Sequence, residues 1–293
     1  MPQIQISSGL TIEYETEGSE RDPPLLMVAG FGAQLISWPR EFCRMIAAGG
    51  RYVISFDNRD CGLSEKLTGR EAHLQEVIRA AGAGDFELAR ELAPYTLDDM
   101  AADGLGLLSA LGLERSHVLG ASMGGWIAQR MAMAAPQRVI TLTSMMSSTG
   151  ERQYGQSEPE VLAALLQPSP SQRAAYIESS KSSLLWHSKR YPELEVTQQL
   201  AAASFDRGLC PDGTQRQLAA IQATAPCPAA LSRLSVPTLV IHGLDDTLIT
   251  PSGGERTAEL IPGTQLMMVK DMGHDRPRAL WPMLTGAILA HTG

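Results

Sequence analysis

The feature that most constrains this fold is the stretch from His117 to Trp126, which reads His-Val-Leu-Gly-Ala-Ser-Met-Gly-Gly-Trp. Its first residues predict a short buried strand, and the residues after Met123 have the apolar spacing of a helix. A Gly-x-Ser-x-Gly turn centred on Ser122 joins the two. This arrangement lifts a serine hydroxyl clear of a sheet, where it can act as a nucleophile. The alternative is a glycine-rich turn with a solvent-facing serine.

Length and composition limit the classes of protein that fit. The chain has 293 residues, enough for one large α/β domain with an insert, and its net charge of -8 argues against a nucleic-acid partner. No apolar run approaches the length of a membrane span, and the first residues do not resemble a signal peptide. We therefore expect a cytoplasmic protein with free thiols. A Cys210–Cys227 bridge would form only in an exported protein.

Strand and helix patterns alternate along most of the chain, which predicts an α/β fold with a mostly parallel sheet covered by helices on both faces. Continuous apolar runs predict buried strands at 24–29, 52–56 and 237–242, and alternation at 3–6 and 10–15 predicts an antiparallel hairpin at a sheet edge.

The alternation stops between residues 147 and 231, where prolines interrupt helical patches, among them residues 160–166 and 171–186. We interpret 147–231 as a helical cap insert, and 1–146 with 232–293 as the core domain. Residues 65–94 predict one or two further helices beside the mouth of the site. In such sheets ligands bind at the carboxyl ends of the strands.

A serine nucleophile requires a general base, and an acid must orient that base. In the chain order nucleophile, acid, histidine, the base is His274 or His291. We favour His274, which follows the last predicted strand, whereas His291 is expected to be solvated near the C-terminus. Asp246 and Asp245 both follow the strand that ends near His242, and either could be the acid. His242 itself is expected to be a core residue.

Backbone N–H groups are expected to stabilise the oxyanion that forms in such a reaction. The N–H of Met123 opens the helix after Ser122, and the N–H of Phe31 lies in the loop after a predicted strand at residues 24–29. That loop could instead be a tight turn in which the glycines serve only geometry.

The substrate pocket is expected to include Met145, Met146 and Trp186, with the cap setting specificity. The alternative for the cap is a covering surface that touches no substrate. Trp126 is expected to pack in the core. Such an apolar pocket favours uncharged substrates.

Several motifs carry a family resemblance. Gly120-Ala-Ser-Met-Gly124 resembles the nucleophile elbow of the α/β-hydrolase superfamily, and residues 57–64, Asp-Asn-Arg-Asp-Cys-Gly-Leu-Ser, resemble its D-x-R-G-x-G-x-S turn. His242-Gly-x-x-Asp246 resembles its H-G-x-x-D turn, which selects Asp246 over Asp245. Gly273-His274 resembles the element that carries the base.

Within the superfamily, the chain is most similar to the anthracycline methylesterases of the aclacinomycin type. The supporting stretches are residues 37–42, 59–64 and 288–292. The chain departs from many relatives at Ala29, where they carry histidine, and in residues 65–94, which are longer than usual. The resemblance therefore does not determine the substrate of this chain.

The predicted function is that of a carboxylesterase that cleaves small to medium, largely apolar esters through Ser122, His274 and Asp246 and an acyl-enzyme. The alternatives are a methylesterase of a polyketide-type product, or a carbon–carbon bond hydrolase, lactonase or perhydrolase with the same triad. A non-enzymatic ligand sensor is a further alternative. No cofactor, metal or membrane is implied, the expected partner is a small-molecule ester, and the sequence does not assign an oligomeric state.

Overall fold

The computed structural model describes residues 2–293, and its centre is an eight-stranded sheet with the order β1-β2-β4-β3-β5-β6-β7-β8. The strands β3 to β8 run parallel, and β2 is antiparallel to both of its neighbours, the edge strand β1 and β4. The predicted α/β class is confirmed. The strands are β1 (Gln3–Gln5), β2 (Thr11–Glu17), β3 (Pro24–Val28), β4 (Tyr52–Phe56), β5 (Ser116–Ala121), β6 (Val139–Met145), β7 (Thr238–Gly243) and β8 (Gln265–Val269).

Helices cover the sheet and fill the connections between its strands. The helices are α1 (Arg40–Ala48), α2 (Leu74–Gly82), α3 (Phe86–Leu92), α4 (Leu97–Ala110), α5 (Met123–Ala134), α6 (Pro159–Leu165), α7 (Arg173–Ser179), α8 (Leu194–Arg207), α9 (Pro211–Ala223), α10 (Pro228–Leu231), α11 (Ser252–Leu260) and α12 (Trp281–Thr292). Within residues 2–293, no helix is long and apolar enough to cross a bilayer.

The sheet is buried on both faces because its strands alternate apolar side chains between two cores. In β3, Leu26 and Val28 belong to the core that includes α4 and α5. Leu25 and Met27 belong to the core on the other face, with α1 and α12. A strand that is buried on both faces has a continuous apolar sequence, which is why β3, β4 and β7 could be predicted.

The helix α4 forms despite two glycines that weaken its intrinsic propensity. A Cβ at Gly104 would lie 3.0 Å from the sulfur of Met131 on α5, and one at Gly106 would lie 3.4 Å from Ile6. The glycines therefore let α4 approach its neighbours closely. A capping box between Thr96 and Asp99 begins the helix.

Five helices, α6 to α10, lie between β6 and β7, and sequence patterns predicted only part of them. The patch predicted at residues 171–186 is α7 followed by a 3-10 helix (Ser180–Leu185). Serine hydroxyls there, including those of Ser180 and Ser183, donate to carbonyls three residues earlier, which competes with regular helix hydrogen bonds.

Two buried ion pairs tie these helices to the turn after β4. Asp57 accepts a hydrogen bond from Arg207 at the end of α8 at 2.6 Å, and Asp60 is paired with Arg216 on α9 at 2.7 Å. Asp60 stands where the family turn has glycine, and it has a left-handed backbone with φ 64°. Aspartate adopts this conformation more readily than most residues, because its short polar side chain can hydrogen-bond locally.

Candidate active site

Ser122 lies on the strained turn between β5 and α5. Its backbone has φ 56° and ψ -126°, a combination that is costly for any residue with a side chain. Its N–H donates to the carbonyl of Met145 at 3.0 Å, and its carbonyl accepts from the hydroxyl of Ser147 at 2.8 Å. These bonds hold the turn, so the Ser122 side chain is presented at the carboxyl end of the sheet.

Two glycines make the turn sterically possible. A Cβ at Gly120 would lie 1.9 Å from the carbonyl oxygen of Gly124, and a Cβ at Gly124 would lie 2.1 Å from that of Val28. Both contacts are with backbone atoms, which cannot move aside as the end of a side chain can. The local sequence therefore encodes the local geometry.

The predicted acid and base are in direct contact. His274 Nδ1 lies 2.7 Å from Asp246 Oδ2, and the Asp246 side chain is fully buried. The other carboxylate oxygen, Oδ1, accepts hydrogen bonds from the N–H groups of Leu248 and Ile249, both at 2.9 Å. The carboxylate is thus fixed in one orientation, and it holds a proton on Nδ1 of His274. Nε2 is then the basic nitrogen.

Asp246 remains ionised in spite of its burial. Burial by itself would raise its pKa, but the charge of His274 and hydrogen bonds from His242 and His274 outweigh this effect and lower the pKa to about 2. The carboxylate is therefore available to stabilise an imidazolium at His274.

The other aspartate and histidines considered for the acid and the base make different contacts. The N–H of Asp245 donates to the carbonyl of Met272 at 3.0 Å, and its half-buried carboxylate makes no hydrogen bond within residues 2–293. His242 is buried as expected, with Nε2 2.8 Å from the carbonyl of Ile249, but its Nδ1 has no partner among the described residues. His291 is half-buried rather than solvated, because its Nε2 pairs with the carbonyl of Leu142 on β6.

The loop after β3 brings Phe31 towards Ser122. A Cβ on Gly30 would lie 3.1 Å from the Cβ of Ser122, so this loop passes directly beside the elbow. The next residue, Gly32, has φ 63° and donates its N–H to Gln217 Oε1 on α9 at 2.9 Å. Within residues 2–293, the N–H groups of Phe31 and Met123 have no hydrogen-bond acceptor. The hydrogen bond from Gly32 to Gln217 on α9 could not be predicted from sequence, because the two residues are far apart in the chain.

Ser122 and His274 line the same cavity, which has a volume of about 640 Å³. Phe31, Met123, Met146 and Trp186 also line it. Met145 does not line the cavity, because it is fully buried in the core at the end of β6. The prediction that it forms part of the pocket is wrong. Met146 follows the last residue of β6 and has a left-handed backbone with φ 42°, so it leaves the strand direction at the edge of the cavity.

Sequence reasoning missed several residues that line this cavity. Trp126 lines it in addition to packing in the core, and Ile78 on α2 reaches it from the segment between β4 and α4. His187 and Arg276 also line it. Arg276 is only two positions after His274, which is the one signal that could have drawn attention to it.

Neither the thiols nor the acidic and histidine side chains form a metal centre in residues 2–293, since no group of three or more is arranged to hold an ion. The four cysteines are free, and Cys43 and Cys61 are buried. Burial raises the pKa of both thiols to about 12. These thiols are therefore poor nucleophiles at neutral pH.

Comparison with known proteins agrees with this geometry. The family described as "alpha/beta hydrolase fold" matches residues 23–275, which is most of the chain. The chain belongs to the α/β-hydrolase family. This hydrolase is 28% identical to the rhodomycin D methylesterase DnrP of Streptomyces peucetius, covering 100% of this chain and 98% of the relative. The corresponding protein DauP of Streptomyces sp. (strain C5) is 29% identical with the same coverage.

A solved structure supports the fold of the hydrolase. The enol-lactonase from Burkholderia xenovorans LB400 superposes with a TM-score of 0.74 at 20% identity, covering 99% of each chain. The predicted resemblance to anthracycline methylesterases is confirmed by the two Streptomyces relatives.

Proposed function

We propose that this protein is a serine carboxylesterase with the triad Ser122, His274 and Asp246. One observation carries the proposal: His274, whose Nδ1 lies 2.7 Å from Asp246 Oδ2, lines the same cavity as Ser122 on the strained turn. A serine hydroxyl is a weak nucleophile, and an adjacent base that is oriented by a third group activates it.

In the proposed mechanism, Ser122 is the nucleophile and His274 is first the general base and then the general acid. Ser122 Oγ attacks the ester carbonyl while His274 Nε2 accepts its proton, and the imidazolium is stabilised by Asp246. The N–H groups of Phe31 and Met123 donate to the tetrahedral oxyanion; a single donor of this kind contributes about 10²- to 10³-fold to the rate. The protonated His274 then gives its proton to the leaving alcohol. Water then attacks the acyl carbonyl while His274 Nε2 accepts its proton, and that proton passes to Ser122 Oγ as the carboxylic acid leaves.

We further propose that residues 147–231 are a cap on a core domain formed by 1–146 and 232–293, and that the cap selects the substrate. Trp186, Leu162 and Leu218 support this proposal, because they come from the 147–231 segment and line the cavity with Ser122. A cytoplasmic location is also proposed, supported by the four free thiols, which are typical of a reducing compartment.

The test is hydrolysis of p-nitrophenyl esters from acetate to laurate by the wild type and S122A. The proposal expects turnover in the wild type and a loss of several orders of magnitude in S122A. The matched control is S148A, which removes another hydroxyl of the same cavity and is expected to retain turnover. Undiminished turnover by a folded S122A protein would refute the proposal, and the chain-length optimum measures the pocket.

A second candidate is a methylesterase of a polyketide-type product, favoured by the two Streptomyces methylesterases that match the whole chain. A methylesterase would release methanol from methyl esters of large aromatic acids faster than it cleaves p-nitrophenyl acetate. If S122A abolishes methanol release and the wild type ignores the p-nitrophenyl series, the methylesterase is the better description.

A further inference from the structure

Among the residues of 2–293 that line the catalytic cavity, Arg276 is the only one whose side chain carries a permanent charge. The lining from this part of the chain contains no aspartate, glutamate or lysine, and the walls are largely apolar. Removal from bulk water lowers the pKa of Arg276 to about 10, so the guanidinium remains cationic at neutral pH. A lone cation on an apolar wall is costly unless an anion compensates it.

The guanidinium has no carboxylate partner. Its Nη2 donates to the carbonyl of Ser37 at 2.7 Å, and within residues 2–293 Nε and Nη1 donate to nothing. Arg276 is half-buried, and no carboxylate oxygen of the described residues lies within ion-pair distance of it. The three fully buried arginines, Arg59, Arg130 and Arg216, each have such a partner.

The adjacent acid does not fill this role. Asp275 directs its Oδ1 to the N–H groups of Ser188 and Gly273, at 3.0 and 3.2 Å. Its charge acts on Arg276 only from beyond direct contact. The two residues are neighbours in sequence, but their side chains serve different parts of the structure.

A second orphan donor lies on the same wall. The Arg276 guanidinium stacks on the Trp38 ring, 4.3 Å from the ring centroid, which holds the guanidinium plane in place. Trp38 is 3% exposed and lines the cavity, and its Nε1–H has no hydrogen-bond acceptor among residues 2–293. Arg276 Nε and Trp38 Nε1 are thus two buried donors without an acceptor among residues 2–293, although buried N–H groups normally have one.

We propose that Arg276 binds a carboxylate of the substrate, so that the preferred substrate is a largely apolar ester with one carboxylate remote from the scissile bond. The proposal rests on the serine-esterase function proposed above and refines its substrate class. The apolar walls exclude highly charged molecules, whereas the fixed, unpaired guanidinium accepts a single anion. A guanidinium is suited to this task because it can bind both carboxylate oxygens at once.

The test compares three matched pairs of p-nitrophenyl esters: hydrogen adipate with hexanoate, hydrogen pimelate with heptanoate, and hydrogen suberate with octanoate. Several lengths are needed to bring the carboxylate to Arg276. For the best pair, the ratio of kcat/KM for the carboxylate ester to that for the neutral ester is expected to fall about 10- to 100-fold in R276M, as for loss of a charge-assisted hydrogen bond. The R276K variant, which keeps the charge, is expected to recover part of the ratio.

The control is R278M, because Arg278 is exposed, pairs with Glu41 and does not line the cavity. Its substrate ratio is expected to equal that of the wild type. A purely structural role for Arg276 would lower both members of each pair alike in R276M and leave every ratio unchanged, which would overturn the proposal.

Direct binding separates this proposal from the esterase function on which it rests. Octanoate is expected to bind S122A about 10-fold or more tightly than octanamide in calorimetry, and the two are expected to bind S122A/R276M equally. Equal binding in S122A overturns the carboxylate site even if the enzyme is an esterase. Preferential octanoate binding without Ser122-dependent turnover in the wild type would refute the esterase proposal and leave the carboxylate site standing.

Discussion

Replacing Asp246 by asparagine tests how the acid acts, because the structure dictates which way the new amide would face. Asp246 Oδ1 accepts hydrogen bonds from the backbone N–H groups of Leu248 and Ile249. The asparagine oxygen must therefore take the place of Oδ1, since an NH₂ group there would face two donors. The NH₂ group then replaces Oδ2, which lies 2.7 Å from His274 Nδ1.

This orientation would trap His274 in the wrong tautomer. The amide donates to Nδ1, so the ring proton moves to Nε2, the nitrogen that must accept the proton of Ser122. The expected loss in kcat is about 10⁴-fold, the size of effect for a triad histidine held in this tautomer. The pKa of Asp246 is lowered from 3.8 to about 2, so D246N also gives up about 2 kcal/mol of folding stability at neutral pH.

The pH dependence of that stability has a definite sign. Because the folded-state pKa is depressed, the contribution is complete above pH 3.8 and is lost as the pH falls towards about 2. Urea unfolding of the wild type and D246N at several pH values measures it, and the difference between them should shrink in this acid range.

The assay is single-turnover and steady-state hydrolysis of the best p-nitrophenyl ester, at a temperature where both proteins are folded. The matched control is D245N, since the Asp245 carboxylate makes no hydrogen bond within residues 2–293 and the variant should stay within about threefold of the wild type. The reasoning is refuted if D246N keeps more than a tenth of wild-type kcat, or if D245N loses as much as D246N.

Two further predictions concern stability. G124A should be destabilised by more than about 3 kcal/mol, because its Cβ would lie 2.1 Å from the Val28 carbonyl oxygen. G286A should be stabilised by about 0.5–1 kcal/mol, because its Cβ would meet nothing within 4 Å on the surface of α12. Chemical denaturation of both variants measures the difference, and equal midpoints would contradict the steric argument. Burial lowers the pKa of His117 from 6.5 to about 4, so between these pH values the unfolded chain binds a proton that the folded chain does not. The free energy of unfolding should therefore fall by up to about 3 kcal/mol as the pH decreases from 6.5 to 4. Replacing His117 by asparagine should flatten that slope, and an unchanged slope would show that His117 does not titrate as inferred.

The sheet and the elbow could be predicted because their signals are local. Continuous apolar runs identified β3, β4 and β7, and the spacing of Gly120, Ser122 and Gly124 identified a turn whose steric demands arise from these residues and the adjacent β3. The edge hairpin of β1 and β2 was also predicted from alternation. Helices α8 and α9 lacked such a signal, since their amphipathic pattern is weak and prolines interrupt the segment around them.

Part of the site could be predicted only by motif and chain order. The contact between Asp246 and His274 joins two loops that sequence patterns placed after neighbouring strands β7 and β8, and parallel strands bring such loops together. The choice between Asp245 and Asp246 depended on the family turn. In the structure, the N–H of Asp245 donates to the carbonyl of Met272, whereas the Asp246 carboxylate is buried beside His274.

By itself, the sequence determined the fold class, the strained serine turn and the candidates for acid and base, because these depend on backbone sterics and short-range periodicity. Only the tertiary structure decided that Met146 rather than Met145 lines the cavity, that His291 pairs with β6, and that Arg276 stands without a carboxylate beside Trp38. Burial and pairing of a side chain depend on segments far away in the chain, and no local pattern records which of them will arrive beside it.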